Sequence, residues 1–235
     1  MKINETTALV TGANRGLGRD LAVELLARGA TVYAGARNPD AVDIPGARVV
    51  ELDITSADSV RRAAAQMDDI TLLVNNAGIF TQGSMLTGQL DDIHLEFDTH
   101  FFGTLSVVRA LAPRIVANGG GTILNILSVL SWISTPDAGA YSAAKSAEWS
   151  LTNALRNELA AQNVRVVGLH VGFMDTDMSA WTTAPKSDPR DVARIAIDGV
   201  RDGLYEILAD DLSHQVRDGL AHGVEGLYPE LVSPR

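Results

Sequence analysis

The sequence has 235 residues, of which 46% are hydrophobic and 20% charged, and its formal net charge at pH 7 is −10. That length allows one sizeable hydrophobic core, so we expect a single domain over residues 1–235. The negative charge argues against a nucleic-acid-binding surface, which needs clustered Lys and Arg. The absence of cysteine excludes disulfides, thiolate metal ligands and cysteine nucleophiles, and we expect no metal site.

Short apolar runs alternate with longer segments of helical periodicity through most of the chain. In chain order, strands are predicted at 7–10, 31–36, 48–54, 71–78, 121–128, 164–171 and 205–210. Helices are predicted between them at 16–29, 56–67, 90–117, 139–161 and 188–203, and Pro113 is expected to bend or end the third. Apolar strands that alternate with helices predict an α/β fold with a parallel sheet covered on both faces. The C-terminal strand and tail span about 204–235, and the stretch from about 211 onward is the hardest part to interpret.

The longest uncharged stretch, 115–136, does not predict a membrane span. The glycines at 119–121 and several Ser and Asn residues interrupt it, so we interpret it as a helix end, a turn, a buried strand and a loop. The first apolar run leads directly into glycines and does not resemble a signal peptide. We therefore expect a cytoplasmic protein without a membrane partner.

The segment TGANRGLG, residues 11–18, lies between the first predicted strand and the first predicted helix. In that position Gly12 permits a tight turn, Gly16 lets backbone N–H groups approach a pyrophosphate, and Gly18 lets the helix pack close to the sheet. The spacing is one residue wider than the usual dinucleotide fingerprint. The segment predicts a dinucleotide site, with an ordinary glycine-rich turn as the alternative.

The residues after the second predicted strand indicate which dinucleotide is bound. NAD sites place a carboxylate there for the ribose hydroxyl, but this chain has Ala36 and then Arg37. Arg15, inside the glycine turn, supplies a second cation. Two guanidinium groups suit a 2′-phosphate, so the sequence favours NADP(H). The alternative is that both arginines are solvated surface charges.

Several motifs together resemble the short-chain dehydrogenase/reductase family, of the NADP(H)-preferring carbonyl reductase type. The matching pieces, in the family's order and spacing, are TGANRGLG, Asp53, NNAG at 75–78, Ser128, YSAAK at 141–145 and GFMDT at 172–176. The likeness spans about residues 5–210 and implies a single Rossmann-type doubly wound parallel β-sheet. It also implies a homodimer or homotetramer whose interface lies on the helices at 90–117 and 139–161.

The resemblance implies catalytic roles that side-chain chemistry supports. Tyr141 would donate a proton to a carbonyl oxygen or remove one from an alcohol. Lys145 follows one helical turn later, where its positive charge favours the phenolate. Ser128 would hold and polarise the substrate carbonyl. Each residue alone has an ordinary structural interpretation, but the three together occur at the family's spacing.

Two positions depart from the family pattern. His100 stands where an Asn is usual, and we include it in the catalytic set as a candidate proton relay, with a buried residue that only braces its helix as the alternative. Val171 replaces a proline before Gly172, and we expect the turn to keep its geometry without the fixed φ.

The resemblance also assigns residues to the cofactor groove, from the adenine to the carboxamide of the nicotinamide. This set comprises Gly12, Asn14, Arg15, Gly16, Leu17, Gly18, Arg37, Asp53, Ile54, Asn76, Ala77, Gly78, Tyr141, Lys145, Gly172, Met174 and Thr176.

Substrate specificity in the family lies in loops over the cofactor. Here those loops carry apolar side chains, which favour an apolar ketone or aldehyde, namely Phe80, Leu130, Trp132, Phe173, Met178 and Trp181. Packing under loops or at a subunit interface is the alternative for the two tryptophans. The polar, proline-bearing segment at about 178–190 is a candidate lid.

The sequence therefore predicts an NADPH-dependent oxidoreductase that reduces a small-molecule ketone or aldehyde to an alcohol, or catalyses the reverse reaction. A different class remains as the alternative, namely an NADP(H)-binding sensor or scaffold without turnover.

Overall fold

The computed structural model describes residues 1–232 and shows a seven-stranded, fully parallel β-sheet in the order β3-β2-β1-β4-β5-β6-β7. The strands are β1 (Thr7–Thr11), β2 (Thr31–Ala36), β3 (Arg48–Glu51), β4 (Leu72–Asn75), β5 (Gly121–Ile126), β6 (Val164–His170) and β7 (Glu206–Leu208). This architecture confirms the predicted α/β fold with a doubly wound parallel sheet of the Rossmann type.

The helices that cover the sheet follow the predicted order up to α6. They are α1 (Gly16–Ala27), α2 (Ala57–Ala64), α3 (Leu90–Phe97), α4 (Thr104–Ala117), α5 (Gly139–Leu159) and α6 (Pro189–Asp202), followed by α7 (Asp211–Gly219), α8 (Gly223–Leu227) and α9 (Pro229–Val232). Residues 233–235 of the predicted C-terminal tail lie outside the described part. Within residues 1–232, no helix is both long and apolar enough to cross a bilayer.

The two faces of the sheet belong to two separate hydrophobic clusters. In β1, Val10 points into a cluster that includes Leu21 of α1 and Ile197 of α6, whereas Leu9 points into a cluster that includes Leu111 of α4 and Leu155 of α5. Because successive side chains of a strand point to opposite faces, a strand packed on both sides has to be apolar throughout. This explains the continuous apolar runs in the sequence.

The topology creates a crevice between β1 and β4. From β1 the chain proceeds outward through β2 and β3, then returns to place β4 on the other side of β1. At such a reversal the loops after the two strands diverge, and ligands bind at the carboxyl ends of the strands. Thr11 and Asn75 end these two strands, so the predicted motifs that follow them lie at this crevice.

The helix predicted over 90–117 differs from the prediction in its interior. A π-helical segment, Asp98–Gly103, separates α3 from α4, while α4 continues past Pro113 to Ala117. The interruption therefore lies not at the proline but around His100. Wider π turns often occur at functional sites. The apolar periodicity of the sequence did not predict this π-helical segment.

The C-terminal helices cover the end of β6, and this bears on the interpretation of Trp132. Its indole ring, 9% exposed, stacks on the His170 ring with centroids 3.6 Å apart. The Arg217 guanidinium of α7 lies 5.9 Å from the Trp132 ring centroid. The Trp132 ring thus packs against His170 and the Arg217 guanidinium, which agrees with the alternative interpretation, and its assignment to the substrate set stays a prediction.

Burial of His170 predicts an acid-sensitive step in stability. Loss of hydration lowers the pKa of His170 from 6.5 to about 4, against the raising effects of the Ser128 carbonyl and Glu206. Glu206 Oε1 lies 3.8 Å from Nε2, too far for a hydrogen bond. Between these two pH values the unfolded chain binds a proton that the folded protein does not, so stability falls as the pH decreases through this window, by about 3 kcal/mol in total.

The His170→Asn variant keeps an N–H donor near the Ser128 carbonyl and removes the titrating group. Urea unfolding at several pH values is expected to show a flatter dependence between pH 6.5 and about 4 than the parent protein. The exposed His222 supplies the matched control, His222→Asn. An identical slope in the parent and the His170 variant contradicts the interpretation.

Candidate active site

The glycine turn after β1 lies directly against the NNAG segment after β4. Gly12 has φ +66, and a Cβ built on it would lie 2.8 Å from Ala77 Cα. A Cβ on Gly18 would lie 2.3 Å from both Asn76 Nδ2 and Gly12 O. The positive φ of Gly12 and the close approach at both positions are compatible only with glycine. The absence of a side chain at these two positions therefore lets the turn lie against the NNAG segment.

Asn76 braces this turn with its side chain. Its Nδ2 donates to Thr11 O at 2.9 Å and to Gly12 O at 3.3 Å, and the backbone N–H groups of Asn76 and Ala77 both donate to Thr11 Oγ1 at 3.0 Å. Asn76 was assigned to the cofactor groove, and in the structure its amide contacts the glycine turn. This arrangement fixes the turn before any ligand contributes.

The start of α1 suits a pyrophosphate. The helix begins at Gly16 after Arg15, and no side chain caps its first N–H groups. Uncapped N–H groups and the positive end of the helix dipole favour an anion. The loop after β6 reaches the same place, since a Cβ built on Gly16 would lie 3.4 Å from Thr176 Cγ2. The residues present therefore fit the phosphates of a dinucleotide between the two loops.

The two arginines predicted to read a 2′-phosphate are both exposed. Arg37 follows β2 at its carboxyl end, with Ala36 where a carboxylate would exclude a phosphate. Arg15 is 72% exposed at the side chain and pairs with Asp177, Nη1 to Oδ2, at 2.9 Å. Arg15 thus points toward the loop after β6, whereas Arg37 lies at the end of β2, and their convergence on one anion stays a prediction.

Other predicted groove residues lie in the loops after β3 and β6. Asp53 accepts hydrogen bonds from Thr55 N at 3.0 Å and Thr55 Oγ1 at 2.7 Å. Ile54 is buried, and a Cβ on Gly103 would lie 2.9 Å from its Cδ1, so Ile54 packs under the π-helical segment. Gly172, after Val171, donates its N–H to Asp210 Oδ2 at 2.7 Å, which anchors this turn without a proline.

Four predicted groove residues remain. Gly78 lies against the His100 ring, since a Cβ built on it would be 2.7 Å from His100 Cε1. Asn14 of the glycine turn is half-buried, Leu17 is buried in the first turn of α1, and Met174 forms an isolated β-bridge with Ser187. The bridge ties the loop after β6 to the end of the predicted lid.

Ser128 and Lys145 are held on either side of the end of β5. Ser128 Oγ accepts from Leu130 N at 3.1 Å, and His170 Nδ1 lies 3.2 Å from Ser128 O. Lys145 Nζ, from α5, donates to Ile126 O at 2.7 Å and lies 5.9 Å from the Tyr141 ring centroid. The structure thus brings the three predicted catalytic side chains together at one strand end.

The phenol of Tyr141 is harder to ionise than the sequence alone suggested. Although part of the residue is exposed, burial is the largest influence and raises its pKa. The Lys145 charge and a hydrogen bond from Ser128 lower the pKa, whereas Glu148 and Glu96 raise it. Sequence reasoning included only the lysine, and the net effect is that Tyr141 remains a phenol over a wider pH range.

Glu148 is a functional candidate that the sequence analysis missed. It is 2% exposed, and its Oε2 accepts from Lys145 Nζ at 2.7 Å. Burial lowers the pKa of Lys145, but the negative charge of Glu148 and its hydrogen bond, together with Tyr141 and Glu96, raise it, and the net pKa is raised. The spacing of three residues on one helix was the available signal.

A second buried carboxylate lies beside His100. His100 Nε2 lies 3.0 Å from Ile79 O and 3.2 Å from Glu96 Oε2. Both are acceptor atoms, so Nε2 carries the proton, and the longer 3.4 Å approach of Ile79 N does not decide the tautomer. Glu96 also accepts from Thr81 N at 2.6 Å. His100 Nε2 thus donates to Ile79 O, Glu96 Oε2 lies nearby without a hydrogen bond, and the His100 ring edge packs on Tyr141 with centroids 5.2 Å apart.

An aromatic cluster of Phe80, Phe173 and Trp181 covers Tyr141. The Phe80 and Tyr141 rings meet edge to face at 5.4 Å, Phe80 stacks on Trp181 at 5.7 Å, and Phe173 meets Trp181 at 5.8 Å. Trp181 is 51% exposed and belongs to the predicted lid. Leu130 is half-buried and Met178 is 44% exposed. Three of the predicted substrate residues therefore lie together above the proposed proton donor.

Comparison with known proteins shows which family this chain is similar to. A family model described as short chain dehydrogenase matches residues 6–187. The uncharacterized oxidoreductase YbbO of Escherichia coli (strain K12) is 32% identical over 209 residues, which cover 83% of this chain and 78% of that protein. An uncharacterized oxidoreductase of Staphylococcus saprophyticus is 28% identical over 214 residues, covering 84% and 92% of the two chains.

Solved structures agree with the sequence comparison. A short chain dehydrogenase from Burkholderia cenocepacia J2315, in complex with NADP, is 36% identical, with a TM-score of 0.94 and full coverage of both chains. A short-chain dehydrogenase from Streptomyces avermitilis has a TM-score of 0.85 and 25% identity, covering 96% of each chain. The family match spans more than half of the chain and includes the glycine turn and the Ser-Tyr-Lys set. The chain belongs to the short-chain dehydrogenase family and is an oxidoreductase of that family, which uses nicotinamide cofactors.

Proposed function

We propose that this protein is an NADPH-dependent reductase of apolar ketones or aldehydes, with Tyr141 as the proton donor. The observation that carries the proposal is the position of a buried ammonium beside a phenol whose pKa is raised. A phenol that keeps its proton is suited to donate it to a developing alkoxide. Reduction is therefore the favoured direction, and alcohol oxidation requires higher pH.

In the proposed reaction the protein orients the carbonyl and supplies the proton. Ser128 Oγ accepts from Leu130 N, so its O–H, which hydrogen-bonds Tyr141 without substrate, would turn to the substrate oxygen and stabilise negative charge there. Tyr141 donates a second hydrogen bond to that oxygen and then transfers its proton. A nicotinamide cofactor held between the glycine turn and the loop after β6 would supply the hydride. Lys145 keeps its positive charge beside Tyr141 and stabilises the phenolate that remains.

The preference for NADP(H) is supported by the charges at the adenosine end of the crevice. A 2′-phosphate would meet Arg37 after β2 and Arg15 in the glycine turn, and the position after Ala36 offers no carboxylate to repel it. The Burkholderia cenocepacia relative was solved with NADP, which agrees with this assignment. A Burkholderia phymatum structure with NAD is only 23% identical and indicates the fold alone.

The aromatic cluster supports an apolar substrate. Phe80, Phe173 and Trp181 would surround the carbon substituents of the carbonyl, and burial of apolar area against them stabilises the complex. An NADPH-oxidation screen over aryl ketones, aliphatic ketones, quinones and steroids tests this proposal. Cofactor binding without turnover on any of them would favour the alternative of a sensor or scaffold. The expected homodimer or homotetramer stays a prediction.

Loss of the Tyr141 hydroxyl is expected to abolish most of the turnover while cofactor binding is retained. A general acid contributes about 10² to 10⁴ in rate, so Tyr141→Phe should lower kcat by that factor. NADPH affinity, measured by quenching of intrinsic fluorescence, should change little. Tyr205→Phe, at a residue that is 58% exposed, is the matched control. Full activity in the Tyr141 variant contradicts the mechanism.

Removal of the Arg37 guanidinium is expected to weaken NADPH selectively. A charged hydrogen bond contributes about 1.5–3 kcal/mol, so Arg37→Ala should raise the KM for NADPH about tenfold or more and leave the KM for NADH nearly unchanged. The exposed Arg62 of α2 is the matched control. Equal effects on both cofactors, or a parent protein that prefers NADH, would refute the charge argument.

A further inference from the structure

Glu148 is a buried carboxylate for which the proposed reaction has no use as a proton donor or ligand. It lies on α5, three residues after Lys145, and is 2% exposed. Oε2 accepts from Lys145 Nζ at 2.7 Å, and Thr104 Oγ1 of α4 lies 3.4 Å from Oε1. Burial of a charged carboxylate is unfavourable unless an opposite charge lies close to it. The Lys145 ammonium therefore has to stay within hydrogen-bond distance of Glu148.

The contacts of Lys145 show how its ammonium group is positioned. Nζ has three N–H donors; one goes to Glu148 and one to the Ile126 carbonyl at the end of β5, also at 2.7 Å. These two contacts fix the ammonium on the side of α5 that faces the sheet. One donor remains for a ligand.

The same carboxylate acts on Tyr141 through its charge. Lys145 and Glu148 from α5 and Glu96 from α3 act on Tyr141 through their charges, and Ser128 adds a hydrogen bond. The His100 ring of the π-helical segment also packs against Tyr141. Lys145 and Ser128 favour the phenolate, whereas Glu148 and Glu96 oppose it. The negative charge of Glu148 offsets the positive charge of Lys145. The lysine therefore lowers the pKa of Tyr141 less than it would without Glu148.

We propose that Glu148 is a positioning residue, whose buried carboxylate holds the Lys145 ammonium at the Ile126 carbonyl and offsets the charge of the lysine beside Tyr141. The inference rests on the proposed function, in which Tyr141 is the proton donor. It assigns a role to a residue that lies outside the Ser-Tyr-Lys set. It also explains why a carboxylate occupies a fully buried site on α5.

The test is a titration of Tyr141 in the Glu148→Gln variant. Gln keeps an acceptor for Lys145 but removes the charge, so tyrosinate absorbance is expected to appear about one pH unit lower than in the parent. Subtraction of the corresponding Tyr141→Phe spectra isolates the signal of Tyr141. The alkaline limb of the pH profile for carbonyl reduction should move by the same amount. Glu158→Gln, an exposed position on the same helix, should move neither.

The outcomes separate this inference from the proposed function. A folded Glu148→Gln variant whose Tyr141 titrates as in the parent overturns the role of Glu148, even if its kcat falls. Full activity of Tyr141→Phe overturns the proposed function instead. If Glu148→Gln does not fold, the Tyr141 titration is measured in the Glu148→Asp variant instead. The shorter side chain places the carboxylate farther from Lys145 and Tyr141, which weakens its charge effect. A smaller shift to lower pH supports the inference, and no shift contradicts it.

Discussion

The contact on which the site depends is the buried ammonium of Lys145 between a backbone carbonyl and a carboxylate. Lys145 joins the Ile126 carbonyl at the end of β5 to Glu148 of α5, and thereby fixes the helix that carries Tyr141 against the central strand. The low-dielectric surroundings make both the attraction and the cost of breaking it large. This ion pair fixes the position of Lys145 and keeps it charged, and proton transfer at Tyr141 depends on both.

Polar groups inside the sheet extend this constraint. Asn75 of β4 donates to Asn125 of β5 at 2.8 Å, Asn125 donates to Thr152 of α5 at 2.8 Å, and Thr152 donates to the Glu148 carbonyl at 2.8 Å. The chain of hydrogen bonds runs from the crevice strand to the helix turn that bears Glu148. A buried polar network of this kind specifies one register between helix and sheet, because any slip would leave polar groups unpaired.

Much of the fold and part of the site followed from sequence because their signals are local. Continuous apolar runs mark buried strands, the glycines mark the turn after β1, and Tyr141 and Lys145 are one helical turn apart. Glu148 was missed because burial is decided by elements distant in sequence, such as α4. The helix α7 was not predicted because its short sequence has only two large apolar side chains, Leu212 and Val216.

The central claim is that a carbonyl oxygen is held by two hydroxyl donors while the buried pair stays intact. A crystal structure with NADP⁺ and the alcohol product of an identified substrate tests it most directly. The account predicts the product oxygen within about 2.6–3.2 Å of both Tyr141 Oη and Ser128 Oγ, with Lys145 still bound to Glu148. A product oxygen remote from both hydroxyls, or a Lys145 separated from Glu148, would contradict it.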